Sequence, residues 1–306
     1  MRCPRCGNVD PSWFYLGSKG WYCRRCVGFS RRLACEAEEP AVPELSEPLD
    51  PQLRLDYPLT SNQKQISDQL CELSETHDVL VDAVCGAGKT EIVMDCLRKR
   101  LQRGQRAAVA VARRQVVLEL ARRLADAFPN LSVIPVCQGY TKKTEADLIV
   151  CTTHQLYRYP HRFDLLILDE PDAFPYKGDP VLHGIARTSC RGQIVYTTAT
   201  PDAELQGRVK AGTLRQLKLN RRPHGHDLTV PRVLIGPQFL LILQLYHWLK
   251  NKQKADKQAL IFVPTIRGCH RLKVLFSLEF SCGELTSQSP DQDETLRKLR
   301  AKELQF

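Results

Sequence analysis

Two short stretches of this chain carry residue types that can grip and cleave a phosphoanhydride. The first is Ala83-Val84-Cys85-Gly86-Ala87-Gly88-Lys89-Thr90. Gly86 and Gly88 allow a tight backbone arc whose N–H groups wrap phosphate oxygens. Lys89 supplies a cation for the β- and γ-phosphates, and Thr90 offers a hydroxyl to Mg2+. The second stretch is Leu165-Leu166-Ile167-Leu168-Asp169-Glu170, in which apolar residues bury a strand and deliver two carboxylates at its end. Asp169 suits a magnesium shell, and Glu170 suits the orientation and deprotonation of an attacking water. An acid pair after a strand can also merely cap the next helix; the upstream phosphate loop favours the chemical role. Gln63, just before the first strand, is placed to read an adenine edge, although exposed glutamines are common.

A second constellation is Cys3-Pro4-Arg5-Cys6 and Cys23-Arg24-Arg25-Cys26, two C-x2-C knuckles separated by sixteen residues. Paired knuckles present four thiolates to one tetrahedral zinc. No histidine or carboxylate accompanies them to leave an open position, so the metal is expected to be structural. A module this short needs such a metal to fold. Trp13, Phe14, Tyr15, Trp21 and Tyr22 lie between the knuckles and are read mainly as its small core. Arg24, Arg25, Arg31 and Arg32 keep a base-stacking platform for nucleic acid open as the alternative.

The elements that must position these residues follow from hydrophobic patterning. Residues 79–84, 107–112, 148–152, 165–168 and 194–198 are nearly continuous apolar or β-branched runs, as expected of parallel strands covered on both faces. Between them Ile92, Val93, Cys96, Leu97 and Leu101 recur at helical spacing, as do Val116, Val117, Leu120, Leu124 and Phe128. Alternating strands and helices predict a three-layer α/β domain. Its expected bounds are 52–225, preceded by the zinc module at 1–35 and by a linker at 36–51. That linker has six acidic groups, four prolines and no basic residue. A second domain is expected from about residue 231, opening with a strand at Ala259–Thr265 and continuing into a charged helix at 293–303.

The 306 residues carry a net charge of +10, which makes polyanions plausible partners without naming one. Seven basic residues against one acidic concentrate in residues 1–35. No apolar run is long enough to span a membrane and no secretory signal opens the chain, so a cytoplasmic location is expected. The nine cysteines outside the knuckles read mostly as buried thiols; Cys85, inside the phosphate loop, is the one exposed to oxidation.

Together these motifs resemble the superfamily-two helicases with their RecA-like motor domains, and among them the ComFA family of DNA uptake. The four-cysteine start, Ala83–Thr90, Asp169-Glu170-Pro171-Asp172-Ala173-Phe174-Pro175-Tyr176 and Thr198-Ala199-Thr200-Pro201 carry the resemblance. It implies a motor that binds single-stranded DNA, hydrolyses ATP with Mg2+, and works with competence proteins at an uptake channel. Recruitment to the inner face of the membrane and self-assembly are left open. Thr198, Ala199 and Thr200 would link hydrolysis to domain movement. Arg113, Arg114, Thr152, Thr153 and His154 lie at strand ends where such motors touch the nucleic-acid backbone, with a solvated basic face the alternative for the arginines. Pro171 departs from the family's valine and removes a backbone donor beside Glu170.

A partial second RecA-like domain is expected at 231–306, because no Gln-x-x-Gly-Arg-x-Gly-Arg motif occurs in the sequence. Gln206-Gly207-Arg208 resembles a fragment of it in the wrong place. An arginine finger can be worth about 10³–10⁵ in rate. The sequence-level expectation is therefore a C-terminally truncated motor with impaired turnover. Two other classes remain: a zinc-ribbon nucleotide- and DNA-binding protein without useful ATPase, and a general repair, restart or RNA helicase.

Overall fold

The computed structural model describes residues 1–18, 20–29, 47–223 and 230–306. Lys19, Arg31, Arg32 and residues 36–46 of the acidic linker lie outside the described residues. The chain divides into two units, Met1–Asp227 and Leu228–Phe306.

The first unit opens with a small antiparallel hairpin, β1 (Phe14–Gly17) and β2 (Gly20–Cys23). Seven parallel strands follow: β3 (Val79–Ala83), β4 (Ala107–Val111), β5 (Val133–Val136), β6 (Leu148–Thr152), β7 (Phe163–Asp169), β8 (Cys190–Thr198) and β9 (Arg215–Leu219). They lie in the order β5-β6-β4-β7-β8-β3-β9. Five helices pack around them: α1 (Ser61–Leu73), α2 (Lys89–Gln102), α3 (Arg114–Ala127), α4 (Pro180–Ser189) and α5 (Ala203–Lys210). Burial alternates along β4, so that Ala107, Val109 and Val111 join one apolar cluster while Ala108 and Ala110 join the other. The first cluster is completed by α1, α2 and α3 through Leu70, Ile92, Leu97, Val117 and Leu124, the second by α4 through Leu182 and Ile185. Both sheet faces are therefore covered, which explains the continuous apolar runs of the central strands.

The cysteine module belongs to this unit and packs against the α4 side. Cys3, Cys6, Cys23 and Cys26 sit in the same buried cluster as Tyr176, Leu182 and Ile185. A Cβ at Gly184 would lie 1.9 Å from the Cys6 carbonyl oxygen, so only glycine lets the α4 backbone approach the first knuckle. The Phe29 ring stacks on His154, with ring centroids 5.9 Å apart. At the far end of the linker, Leu49 donates its N–H to the Leu101 carbonyl at 3.2 Å, and Arg54 donates to Ala127 at 2.8 Å. Residues 49–55 thus run against the sheet domain rather than away from it.

The second unit holds α6 (Gln238–Lys254), α7 (Ile266–Phe276) and α8 (Gln292–Arg300) around Leu249, Ala259, Phe276, Phe280 and Phe306. The strand expected at 259–265 is not formed: that segment enters no ladder among the described residues. Its burial still alternates, Ala259 being buried while Leu260 and Phe262 are exposed. One bond, from the Ala259 N–H to the Gln305 carbonyl at 3.0 Å, stands where a neighbouring strand would supply a ladder.

Replacing Gly184 with alanine forces the α4 backbone off Cys6 and is expected to destabilise the first unit by about 1–3 kcal/mol, the usual cost of overpacking. Gly207→Ala, in α5 with open space around it, is the control and should be neutral or slightly stabilising. Thermal melts of the two variants check this; equal melting temperatures would contradict the close docking of the knuckle.

Candidate nucleotide site

Parallel ladders bring the C-terminal ends of β3, β8 and β7 side by side, with Asp82 paired to Thr198 and Asp169 paired to Thr197. The loop after β3 is the phosphate loop. Gly86 and Gly88 take φ of +78° and +80°, a left-handed conformation that favours glycine. Gly88 is also the N-cap of α2, so the first-turn N–H groups have no capping side chain and face the loop's concavity. Ala83, the last residue of β3, is fully buried and anchors the loop in the sheet. Lys89 begins α2 with a side chain only 14% exposed, and its Nζ lies 3.9 Å from Glu170 Oε1.

The acid pair ends β7. The Thr197 hydroxyl donates to Asp169 Oδ1 at 2.6 Å, which fixes that carboxylate's rotamer. Glu170 takes φ of +51°, unusual for a residue with a Cβ, and its N–H donates to the Thr197 carbonyl at 2.8 Å. Such backbone strain costs on the order of 1–3 kcal/mol and is held in place by its surroundings. Because Pro171 has no N–H, the turn relies on the Glu170 N–H and on Ala173, which donates to the Glu170 carbonyl at 3.0 Å.

Asp172 emerges as a residue that sequence reasoning quoted without giving it a role. Its Oδ1 accepts from the Thr198 hydroxyl at 2.5 Å, and its Oδ2 accepts from the Thr200 hydroxyl. Thr200 N–H in turn donates to Thr198 Oγ1 at 3.0 Å. The two threonines that flank Ala199 therefore hold the loop that carries the acid pair. Burial would raise the Asp172 pKa, but donation from Thr198 and then Thr200 outweighs it and holds the carboxyl below its ordinary value. The repeated acid in Asp169-Glu170-Pro171-Asp172 was the available signal.

Two further side chains grip the phosphate loop. Gln63 is buried, and both ends of its amide are used internally: Oε1 accepts from Thr60 N–H at 2.9 Å, and Nε2 donates to the Ala87 carbonyl at 2.9 Å. The first bond is half of a capping box that starts α1. Here Gln63 ties α1 to the loop, using its carbonyl oxygen and one of its two amide N–H groups. Arg222 was not singled out from sequence; its Nε donates to the Cys85 carbonyl at 2.9 Å, laying a guanidinium beside Gly86. Cys85 itself is exposed.

The proposed backbone-contacting residues separate. Arg113 is exposed at the end of β4, and Arg114 begins α3 with its Nε on the Gln138 carbonyl at 3.0 Å and its guanidinium over Tyr140. Thr152 and Thr153 are buried, while His154, stacked on Phe29, is half-buried like Arg114, and Arg113 is the exposed member of the set. The Thr153 hydroxyl has no hydrogen-bond partner among the described residues. Arg208, of the Gln206-Gly207-Arg208 fragment, serves elsewhere: it pairs with Asp78 at 2.8 Å and reaches the Tyr196 hydroxyl at 2.9 Å. Asp78 immediately precedes β3, so this ion pair lies at the end of the sheet opposite the phosphate loop.

The four knuckle cysteines converge. Cys3 Sγ lies 3.6 Å from Cys26 Sγ, and Cys6 Sγ lies 3.9 Å from Cys23 Sγ. A tetrahedral zinc with Zn–S bonds of about 2.3 Å separates its sulfurs by about 3.8 Å, so the set fits that ion. Hydrogen bonding from Cys26 and Cys6 lowers the Cys3 pKa to about 2, while the same crowding pushes Cys26 far up. Arg5 and Asn8 add outer donors, to Cys26 Sγ at 3.6 Å and to Cys23 Sγ at 3.9 Å.

Comparison with known proteins agrees with this architecture. The DEAD/DEAH box helicase family matches residues 60–207. Competence protein ComFA of Streptococcus pneumoniae is 31% identical over 316 residues, covering 99% of this chain and 72% of that protein. The chain belongs to the ComFA family. The Bacillus subtilis ComFA is 32% identical over 282 residues, and there the match spans 61% of the relative's length. Replication restart protein PriA of Helicobacter pylori is 28% identical over 220 residues, only 34% of its length. Among solved structures, DEAD-box helicase Mss116 bound to ssRNA aligns with a TM-score of 0.62 at 18% identity, covering 82% of this chain and 60% of that one. RecG bound to a three-way DNA junction aligns at 0.55 and 18% identity, covering 83% of this chain and 37% of that one. At such identity these two show the fold alone, a RecA-like helicase architecture for a ComFA-family chain. No helix among the described residues is long and apolar enough to cross a membrane.

An Asp172→Ala variant leaves the Thr198 and Thr200 hydroxyls without their acceptor and is expected to lose about 1–3 kcal/mol at neutral pH. The Asp172 pKa is depressed on folding, so this contribution is present above the unfolded-state carboxylate pKa. It is lost as pH falls through the lower folded value. Urea melts of wild type and variant from pH 7 to pH 3 should show the stability gap closing at the acid end; a gap independent of pH would contradict the assignment.

Proposed function

We propose that this chain is the ATP-dependent, single-stranded-DNA-translocating motor of competence DNA uptake. The observation that carries it is the convergence of the phosphate loop, the acid pair and the Thr197–Thr200 hydroxyls at three adjacent strand ends, in a chain of the ComFA family. Lys89 and the N–H groups of residues 86–90 would hold the β- and γ-phosphates. Thr90 and Asp169 would complete the Mg2+ shell. Glu170, held close to Lys89 and strained into its turn, would orient and deprotonate the attacking water. The link from Asp172 to Thr198 and Thr200 offers a mechanical path, because loss of the γ-phosphate at Glu170 would be felt by the hydroxyls that follow β8.

Arg113 and Arg114 are the residues we assign to the single-stranded DNA backbone, Arg113 by its exposure and both by their place at the end of β4. The four cysteines would hold a structural zinc, with competence proteins at the uptake channel as the partners.

ATP hydrolysis with and without single-stranded DNA tests the proposal. Stimulation by DNA is expected in the parent chain, loss of nucleotide binding in Lys89→Ala, and retained binding in Glu170→Gln with turnover down by about 10²–10⁴. Intact DNA binding with no stimulation would favour a nucleotide- and DNA-binding protein without useful ATPase. A Lys89→Ala variant with full activity would sink the motor assignment.

A further inference from the structure

We propose that the outward face of the β1–β2 hairpin is a base-stacking surface for single-stranded nucleic acid, separate from the strand ends of the large sheet. The proposal rests on the reading that this chain handles single strands, and it adds a second place where it holds them.

The hairpin register sorts its residues by face. Phe14 pairs with Cys23 and turns toward the knuckle core, where both pack with the α4 cluster. Tyr15 pairs with Tyr22 on the other face, their ring centroids 5.4 Å apart. The Arg24 N–H donates to the Trp13 carbonyl at 2.8 Å, which extends the pairing by one step and adds Trp13 and Arg24 to the outward face. Expected as core from their type, Trp13 and Tyr15 are instead 43% and 51% exposed. The module's buried interior is its sulfur cluster, and these rings lie outside it, half open to solvent.

Trp13 and Tyr15 each carry a guanidinium. Arg24 Cζ lies 5.8 Å from the Tyr15 ring centroid, and Arg25 Cζ lies 5.8 Å from the Trp13 centroid. Among the described residues neither arginine forms an ion pair with a carboxylate. The nearby Asp10 accepts instead from Ser12 N–H at 3.0 Å and Ser12 Oγ at 2.8 Å. Exposed rings beside guanidiniums that ion-pair with no described carboxylate have the chemistry of nucleic-acid binding: the rings offer faces to bases, and the arginines offer charge to phosphates. Stacking on Trp13 and Tyr15 needs bases with a free face, which single strands offer and the stacked interior of a duplex does not.

The test is fluorescence anisotropy of a labelled oligothymidylate and of a duplex of equal length, titrated with the zinc-loaded 306-residue chain. Trp13→Ala/Tyr15→Ala is expected to weaken single-strand binding by about tenfold to a hundredfold, with zinc content and affinity for a non-hydrolysable ATP analogue unchanged. Trp13→Phe/Tyr15→Phe keeps the rings and should keep most of the binding. Should the alanine pair lose zinc, Arg24→Gln/Arg25→Gln decides, with weaker binding and a shallower salt dependence expected. An alanine pair that holds zinc and binds within twofold of wild type overturns the stacking surface, even if Arg113→Ala weakens binding and so upholds the motor's own contact. A wild-type chain that binds the ATP analogue but no single strand overturns the reading of function and the stacking surface together.

Discussion

Everything chemical in the first unit depends on the adjacency of β3, β8 and β7. Parallel pairing points all their C-terminal ends the same way, so the loops that leave them meet without further folding. Alternation then does the finer placement. Thr197 and Thr198 project to opposite faces of β8, and each finds a different carboxylate: Asp169 for Thr197, Asp172 for Thr198. A slip of one residue in the β7–β8 register would exchange these faces and separate the acid pair from its supports. Burial of both faces opposes that slip, because it would also turn Leu166 and Ile167 to the wrong clusters.

The parts legible in the sequence are those whose residues answer to one dominant force. The central strands β3, β4, β6, β7 and β8 are apolar on both faces and cannot be mistaken for loops. The strands that sequence patterning misses are the sheet's edges. β5 contains Pro135, which an edge strand tolerates, and β9 reads Arg-Gln-Leu-Lys-Leu with a charged residue at every exposed step. The phosphate loop and the acid pair were legible because glycine spacing and paired carboxylates are chemical requirements. The grip of Gln63 and Arg222 on that loop was not, since it is set by which carbonyl lies within reach, and that is fixed only by the three-dimensional path of residues 85–87. The aromatics between the knuckles were misjudged for a related reason. Residue type says that Trp13 and Tyr15 favour burial, but a two-stranded hairpin has only one inner face, and the cysteines occupy it.

The cysteine module also bears on the motor. The loop that leaves Glu170 leads through Asp172 and Tyr176 into α4, and α4 is the helix whose Gly184 rests against the Cys6 carbonyl. The knuckle thus backs the element that follows the acid pair, while Phe29 backs the His154 turn that follows β6. A metal that orders the knuckle would stiffen both from the side opposite α1, α2 and α3. Sequence supplies the spacing of the cysteines, packing converts it into contact with α4, and that contact joins the cysteine module to the lobe that carries the phosphate loop.

The most direct measurement of the central claim, that residues after β3 and β7 form one magnesium–nucleotide site, is calorimetric titration of a non-hydrolysable ATP analogue with and without Mg2+. The geometry predicts that Mg2+ strengthens binding to the wild-type chain. It further predicts that Thr90→Val and Asp169→Asn each abolish that strengthening while leaving the magnesium-free affinity nearly unchanged. Variants that bind the magnesium complex as tightly as wild type would contradict it.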